Sequence, residues 1–298
     1  MEFSWIYDEN EPKQIKYFLR ELGISKRLLA KIKFQGGKIK VNHQIQNVLF
    51  YLTKNDQLQV VIPNEAEHET MLLDTTPIDI VFEDKHYLVV NKPVNIPSIP
   101  AQYHPNGTMA NRVKAYYKEK NYANQVVHIV TRLDRDTTGL MLFAKHGFAH
   151  ALLDQELRNK RVVKIYQALV GGNIANLDSH GRIDLPIGRD HSSLMKRQVI
   201  STGQQAITEY WIEEKYTDFA AVRIQLHTGR THQIRVHFSA IGCPLMGDEL
   251  YGGEKQRIKR QALHCSCLYF KHPFTKQEIE LKLPLPLDMK NISSVINN

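Results

Sequence analysis

Two stretches of this sequence crowd polar side chains between apolar runs, the pattern expected where a rigid frame presents reactive groups. The first, HIVTRLDRDTTGLMLFAK over 128–145, runs from an apolar strand into Arg132-Leu133-Asp134-Arg135-Asp136-Thr137-Thr138-Gly139 before a second strand begins. Asp134 stands between two arginines, whose charges favour a carboxylate over a neutral acid even in a partly dry pocket. Such an Asp-, Thr- and Gly-rich turn also fits a purely structural role. The second stretch, HTGRTHQIRVHFSAIGCPLMGDELYG over 227–252, ends a strand at Thr228-Gly229. It then sets Arg230, His232, Gln233, Arg235 and His237 at the start of a helix that must also bury Ile234, Phe238 and Ile241. A solvated, capped helix start is the alternative reading.

Metal and cofactor chemistry find little support. His232 and His237 lack the HExxH spacing of a zinc hydrolase, and Cys265-x-Cys267 lacks the second ligand pair of a structural zinc site. Three cysteines, Cys243, Cys265 and Cys267, suit reduced thiols better than a disulfide framework. Neither GxxxxGK[ST] nor GxGxxG occurs, so no nucleotide phosphate cradle is expected and no cofactor is called for.

The elements that must position these groups are mostly strands. IVFED and YLVVNKP flank a turn at Asp84-Lys85, and further strand patterns follow at MLFAK, KIYQALV, TEYWIE, AAVRIQL, ALHCSCLYF and EIELKL. Helical periodicity marks 108–120, 147–159 and 230–241. Strands joined by short turns predict an α+β fold with a mixed, mainly antiparallel central sheet and flanking helices, rather than a doubly wound parallel one. Upstream, Ile15, Phe18, Leu19 and Leu22 recur at helical spacing. Gly23 can close that helix and Ser25 can cap a second bearing Leu28, Leu29 and Ile32. Gly36-Gly37 breaks the pattern, and alternation at Ile39 and Val41 and again at Leu58, Val60 and Ile62 signals two strands. The proline- and acid-bearing stretch 63–79 reads as a linker, which places a boundary near residue 70 between a small module, 1–70, and a larger domain, 71–298.

A chain of 298 residues with 42% hydrophobic and 23% charged residues can bury a sizeable core. No apolar run reaches the roughly 18–20 residues that span a bilayer, and the first residues lack a secretory layout, so a cytoplasmic protein with no membrane partner is expected. The net charge of +8 is localised: nine Lys or Arg and one acid, Glu21, lie between Lys13 and Lys40. A basic face of this kind points to a polyanion, RNA or DNA.

The first polar block resembles the HRLDxxTSGLLLFAK signature of the RluA family of pseudouridine synthases. The second is similar to that family's GRTHQIRVHxxxxGxPxxGDxxYG motif, and KIYQALV, residues 164–170, to its KxYxALV segment. VVNKPVNIPSIP at 89–100 resembles the NKPxGxxxxP motif, and LHCSCLYFKHPFT with LPLPLD the closing pattern. Residues 13–62, with ISKRLLAKI, GGKIKVN and NDQLQVVIP, look like the S4 RNA-binding module that precedes this catalytic domain. Thr131 stands where the family has His, Thr137-Thr138-Gly139 replaces Thr-Ser-Gly, and Asn95 occupies a common Gly position, which makes that loop less permissive at φ > 0.

The resemblance implies isomerisation of specific uridines to pseudouridine in structured RNA, with large-subunit ribosomal RNA first and transfer RNA as the alternative, in a monomer that needs no cofactor. It assigns the essential carboxylate to Asp134, as nucleophile or as base on the sugar. Arg230 becomes the arginine paired with that aspartate, and Tyr166 the ring that stacks on the extruded uracil. Arg132 would fill the gap left by the base, and Leu283 would line the uracil pocket. Lys26, Arg27, Lys31, Lys38 and Lys40 would meet RNA phosphates. Two competing readings remain: a non-catalytic RNA-binding or ribosome-assembly factor, which places no demand on the trio of Asp134, Tyr166 and Arg230, and a nucleoside hydrolase, which leaves the basic module unexplained.

Overall fold

The computed structural model describes residues 1–65, 71–101, 105–193 and 195–294. The boundary expected near residue 70 lies outside the described residues. Before it, strand β1 (Glu2–Ile6) leads to helices α1 (Ile15–Glu21) and α2 (Lys26–Phe34), then strands β2 (Lys38–Val41) and β3 (Gln57–Val61). Gly23 takes the left-handed φ of +87° that closes α1, and Ser25 Oγ accepts the Leu28 N–H at 3.2 Å to cap α2. Strand β3 lies antiparallel between β1 and β2. The apolar faces of the helices and strands close one core around Ile15, Leu19, Ile32, Leu58 and Val60.

The remaining elements are β4 (Asp79–Glu83), β5 (Tyr87–Lys92), α3 (Met109–Glu119), β6 (Thr138–Ala144), α4 (Gly147–Arg158), β7 (Val163–Val170), β8 (His180–Asp184), β9 (Ile187–Arg189) and β10 (Arg197–Val199). They continue with β11 (Ile207–Lys215), β12 (Ala220–Leu226), α5 (Gln233–Ala240), β13 (Leu263–Lys271), β14 (Glu278–Lys282) and α6 (Leu287–Ser294). One large sheet runs in the order β8-β11-β12-β7-β13-β6-β5-β4, with β14 added to β13. Among the described residues only the short pairing of β6 with β13 at Thr138 and Gly139 is parallel, so the sheet is the mixed, mainly antiparallel one expected. Burial along β5 and β6 is nearly continuous rather than alternating, as in strands covered on both faces. The separate hairpin β9–β10 packs by β10 against α5 and has no counterpart among the expected strands.

A second core fills this larger body, and the two cores meet at an aromatic seam. Phe3 of β1 stacks on Phe274 at 5.6 Å and meets the edge of Phe148, on α4, at 5.1 Å. His86 stacks on Phe274 at 3.8 Å, and its Nδ1 lies 2.9 Å from His146 Nε2. His272 bonds Asp84 at 2.8 Å beside them.

Candidate active site

Asp134 lies in the loop that enters β6, and that loop is pinned from several sides. The Lys92 ammonium, fully buried at the end of β5, donates to the carbonyls of Pro93, Ile96 and Arg135 at 2.8, 2.7 and 2.7 Å. Three acceptors match the three donors of an ammonium, while burial pulls Lys92 down to about 7 against the opposing pull of Asp136 and Asp134. Ser98 Oγ donates to the Leu133 carbonyl at 2.6 Å and accepts the Leu133 N–H at 3.0 Å. Gln261 reaches Thr137 Oγ1 at 3.1 Å. Thr131 and Thr138 fit this frame through their hydroxyls: Thr131 Oγ1 accepts the Leu142 N–H at 3.0 Å, and Thr138 Oγ1 lies 2.9 Å from His264 Nδ1. Asn95, in the loop that Lys92 ties down, adopts φ +62°, the left-handed region that asparagine tolerates best after glycine.

Opposite this loop stands the start of α5, which solves the crowding of polar groups by giving each a partner. Gln233 Oε1 accepts from Thr228 Oγ1 at 2.8 Å and from the Arg230 N–H at 3.0 Å, and its amide donates to the Ile207 carbonyl at 3.0 Å. His237 spans Thr208 Oγ1 and the Leu185 carbonyl, both at 2.9 Å. These two hold the helix on the sheet. Arg235 turns to the cleft: Nε and Nη2 grip Asp248 at 2.7 and 2.8 Å, and Nη1 donates to Asp134 Oδ2 at 3.2 Å. Burial opposes its charge, and Asp248 with Asp134 outweighs burial, so the guanidinium stays protonated.

His232, one helical turn before Arg235, holds a left-handed backbone at φ +58°. Non-glycine residues pay about 1 kcal/mol or more for that conformation, and here it aims the imidazole into the cleft. Its Nε2 lies 3.9 Å from Asp134 Oδ2 and its Nδ1 2.9 Å from the Tyr251 hydroxyl. That hydroxyl accepts the Arg197 N–H from β10 at 2.9 Å, which leaves its own proton for His232 Nδ1 and sets the tautomer with the proton on Nε2. Burial lowers the His232 pKa, so the neutral ring is the resting form.

The cleft between loop and helix encloses about 620 Å³ and is lined by Asp134, Tyr166, Arg132, Lys164, His232 and Arg235 among others. Tyr166 is 4% exposed, and burial, then Cys265 and Asp134, raises its pKa, so the phenol is neutral. The arrangement presents a carboxylate fixed by a guanidinium beside an aromatic ring, in a recess of the size that takes a single base and sugar.

The profile of the RNA pseudouridylate synthase family matches residues 86–240, which span both walls of this cleft. The chain is 45% identical to the uncharacterised RNA pseudouridine synthase YjbO of Bacillus subtilis over 93% of its length and 97% of that protein's. The chain belongs to the RNA pseudouridylate synthase family. It is 36% identical to the ribosomal large subunit pseudouridine synthase D of Pseudomonas aeruginosa, over 87% of this chain and 84% of that one. The solved structure of human RNA pseudouridylate synthase domain containing 1 superposes with a TM-score of 0.58 at 26% identity, over 71% of this chain and 84% of that one.

For a pseudouridine synthase of this family the sequence pointed to Arg230 as the partner of the aspartate, and the structure corrects this to Arg235. Arg230 lies before the first turn of α5, with its N–H tied to Gln233, so its exposed side chain runs outward to the Gln205 carbonyl at 3.0 Å. Arg235, three positions after His232, shares the cleft-facing side of the helix. Leu283 is corrected as well. It follows β14 and lines a different cavity, with Lys92, Arg260 and Leu287, while Leu226 and Leu263 supply apolar wall to the cleft of Asp134. Asp134, Tyr166 and Arg132 are brought together as expected.

The residues that the sequence did not single out are Asp248, Tyr251 and Lys164, and His232 was noted there only as part of the polar cluster. The first two stand in the GDELYG segment and signal their role only through the fold, since 13 residues separate Asp248 from the arginine that it holds. Among the expected phosphate contacts, Lys26, Arg27 and Lys38 are exposed and Lys31 and Lys40 half-buried. Lys31 has an acid, Glu65, at 3.9 Å. Lys13 is spent on Glu9 and Glu21 at 2.6 and 2.9 Å. Exposed rings join the basic surface: Lys16 sits over Tyr17 and Lys33 over Phe34, each at 4.8 Å.

Proposed function

We propose that this chain isomerises specific uridines to pseudouridine in folded large-subunit ribosomal RNA, with Asp134 as the catalytic carboxylate. The observation that carries the reading is the cleft in which Asp134, held by Arg235 at 3.2 Å, faces the space beside Tyr166. Relatives named for the ribosomal large subunit favour ribosomal over transfer RNA. A recess of this size admits the target only when its nucleotide leaves the helical stack. Arg132, exposed at the rim, is placed to occupy the vacated position, and Tyr166 to stack on the extruded ring, worth about 1–3 kcal/mol.

Asp134 then acts on the ribose, by attack at C1′ or by removal of the 2′ proton, and the C1′–N1 bond breaks. The freed uracil turns and its C5 bonds to C1′, as the Asp134–C1′ ester bond breaks or, by the other route, as Asp134 returns its proton to C2′. Loss of the C5 proton to water, with N1 taking a proton in exchange, completes an isomerisation without net redox change. Residues 1–70 serve as an S4-like RNA-binding module, with Lys26, Arg27, Lys31, Lys38 and Lys40 on phosphates and the exposed rings of Tyr17 and Phe34 available to unpaired bases.

The test is Asp134→Asn assayed by pseudouridine mapping on large-subunit ribosomal RNA and on transfer RNA. Conversion should vanish while RNA binding and the melting temperature stay near wild type. Conversion retained by the variant would end the catalytic assignment, and conversion of transfer RNA alone would replace the substrate.

A further inference from the structure

We propose that Lys164 stabilises the uracil anion that exists between cleavage of the C1′–N1 bond and formation of the C5–C1′ bond, by placing its ammonium on the carbonyl oxygens of that anion. The inference rests on the pseudouridine reading of the cleft and adds a residue that the reading does not use. Lys164 lies two positions before Tyr166 on β7, so both side chains leave the same face of the strand, and both line the cleft of Asp134.

The chemistry requires a cation by either route open to Asp134. If the carboxylate attacks C1′, a C–O bond forms and the C1′–N1 electron pair leaves with uracil. If it removes the 2′ proton, the C2′–H pair becomes a C1′–C2′ double bond and the C1′–N1 pair again leaves with uracil. In both cases the detached base carries one negative charge spread over N1, O2 and O4. That charge is consumed when C5 bonds to C1′. A positive group facing the base is therefore worth most in the interval when the base belongs to neither bond, which is where a fixed charge accelerates a reaction.

Of the described cations lining the cleft, Lys164 is the one inside it and uncommitted; Arg135 is exposed and paired with Asp136 at 2.9 Å. Arg235 is bound to Asp248 and Asp134, and Arg230 to the Gln205 carbonyl. Arg132 is exposed at the mouth, whereas Lys164 is half-buried and makes no hydrogen bond or ion pair among the described residues. Burial lowers its pKa, the mark of an ammonium short of solvent and of a counter-charge. A compact ammonium on a four-carbon stem also suits a base that must turn, because it can follow either carbonyl oxygen, where a planar guanidinium demands one orientation.

The experiment compares full-length wild type with Lys164→Met and Lys164→Gln under single-turnover conditions. Two large-subunit ribosomal RNA transcripts serve as substrate, one with uridine and one with 5-fluorouridine throughout. Consumption of the target nucleotide is followed by chromatography of the digested RNA, since fluorine replaces the C5 hydrogen. Fluorine stabilises the uracil anion and so reduces its need for a cation. Both variants should slow the uridine substrate by about 100-fold, and the fluorinated one by about 10-fold or less, with RNA affinity unchanged. Equal slowing on both substrates, or weakened RNA affinity with a salt slope reduced by about one, would make Lys164 a phosphate contact and overturn the proposal. Unchanged rates would overturn it too. A wild type that converts neither transcript would instead remove the pseudouridine reading, and this inference with it.

Discussion

At the scale of single residues, Arg235 holds two carboxylates with one guanidinium, and the division of labour between it and Arg230 makes a sharp contrast. Arg235→Lys keeps a charge but cannot grip Asp248 with two parallel bonds while reaching Asp134. We expect its single-turnover rate to fall by about 100-fold or more, whereas Arg230→Lys should stay within about threefold of wild type. Equal losses in a rapid-quench assay would return the partner role to Arg230. Tyr251→Phe removes the hydroxyl between the Arg197 N–H and His232, freeing the imidazole tautomer; the rate should drop about tenfold with little change in melting temperature. Sequence motifs pointed to Asp134 and Tyr166 because each falls on a fixed position of the family pattern, whereas the neighbouring Asp136 falls on a variable one. They could not separate two arginines five positions apart, since that choice depends on where α5 begins, and it begins at Gln233, after Arg230.

Elements carry the next level of constraint, and the loop before β6 is held chiefly by Lys92. Lys92→Met would leave three inward carbonyls without a donor, at a cost of about 2–4 kcal/mol. Thermal unfolding should register the loss, and Asp134 turnover should fall with it; an unchanged melting temperature would show that the loop has other support. Helices α1 to α4 and most strands were legible because their apolar spacing is regular, and Gly23 and Ser25 mark a stop and a cap between the first two helices. The hairpin β9–β10 was not, for its strands are three residues each and half polar. Nor was β1, whose burial as the partner of β3 depends on residues more than fifty positions away.

For the whole molecule, the concentration of charge in the first module was readable from composition, and the seam that joins it to the larger body was not. Phe3, Phe148 and Phe274 come from three distant segments, and nothing local marks them as neighbours. The same seam predicts a pH response. Burial holds His86 at about 4, and burial with the nearby His86 charge holds His146 at about 3, against an ordinary 6.5. The unfolded chain therefore binds more protons than the folded one below 6.5. Stability should fall as pH drops from 6.5 toward 4, by up to about 1.4 kcal/mol per unit for each histidine, and gain nothing from them above pH 7. Urea melts across that range would check it, and Phe replacement at His146 should flatten the slope.

A hydrophobic junction of this kind behaves as a weld rather than a tether. The basic helix α2 and the cleft of Asp134 are then set at an invariant reach, so an RNA held by both would have to bridge that span by its fold. Target choice would accordingly be a matter of RNA architecture, with the letters around the uridine mattering chiefly insofar as they build it.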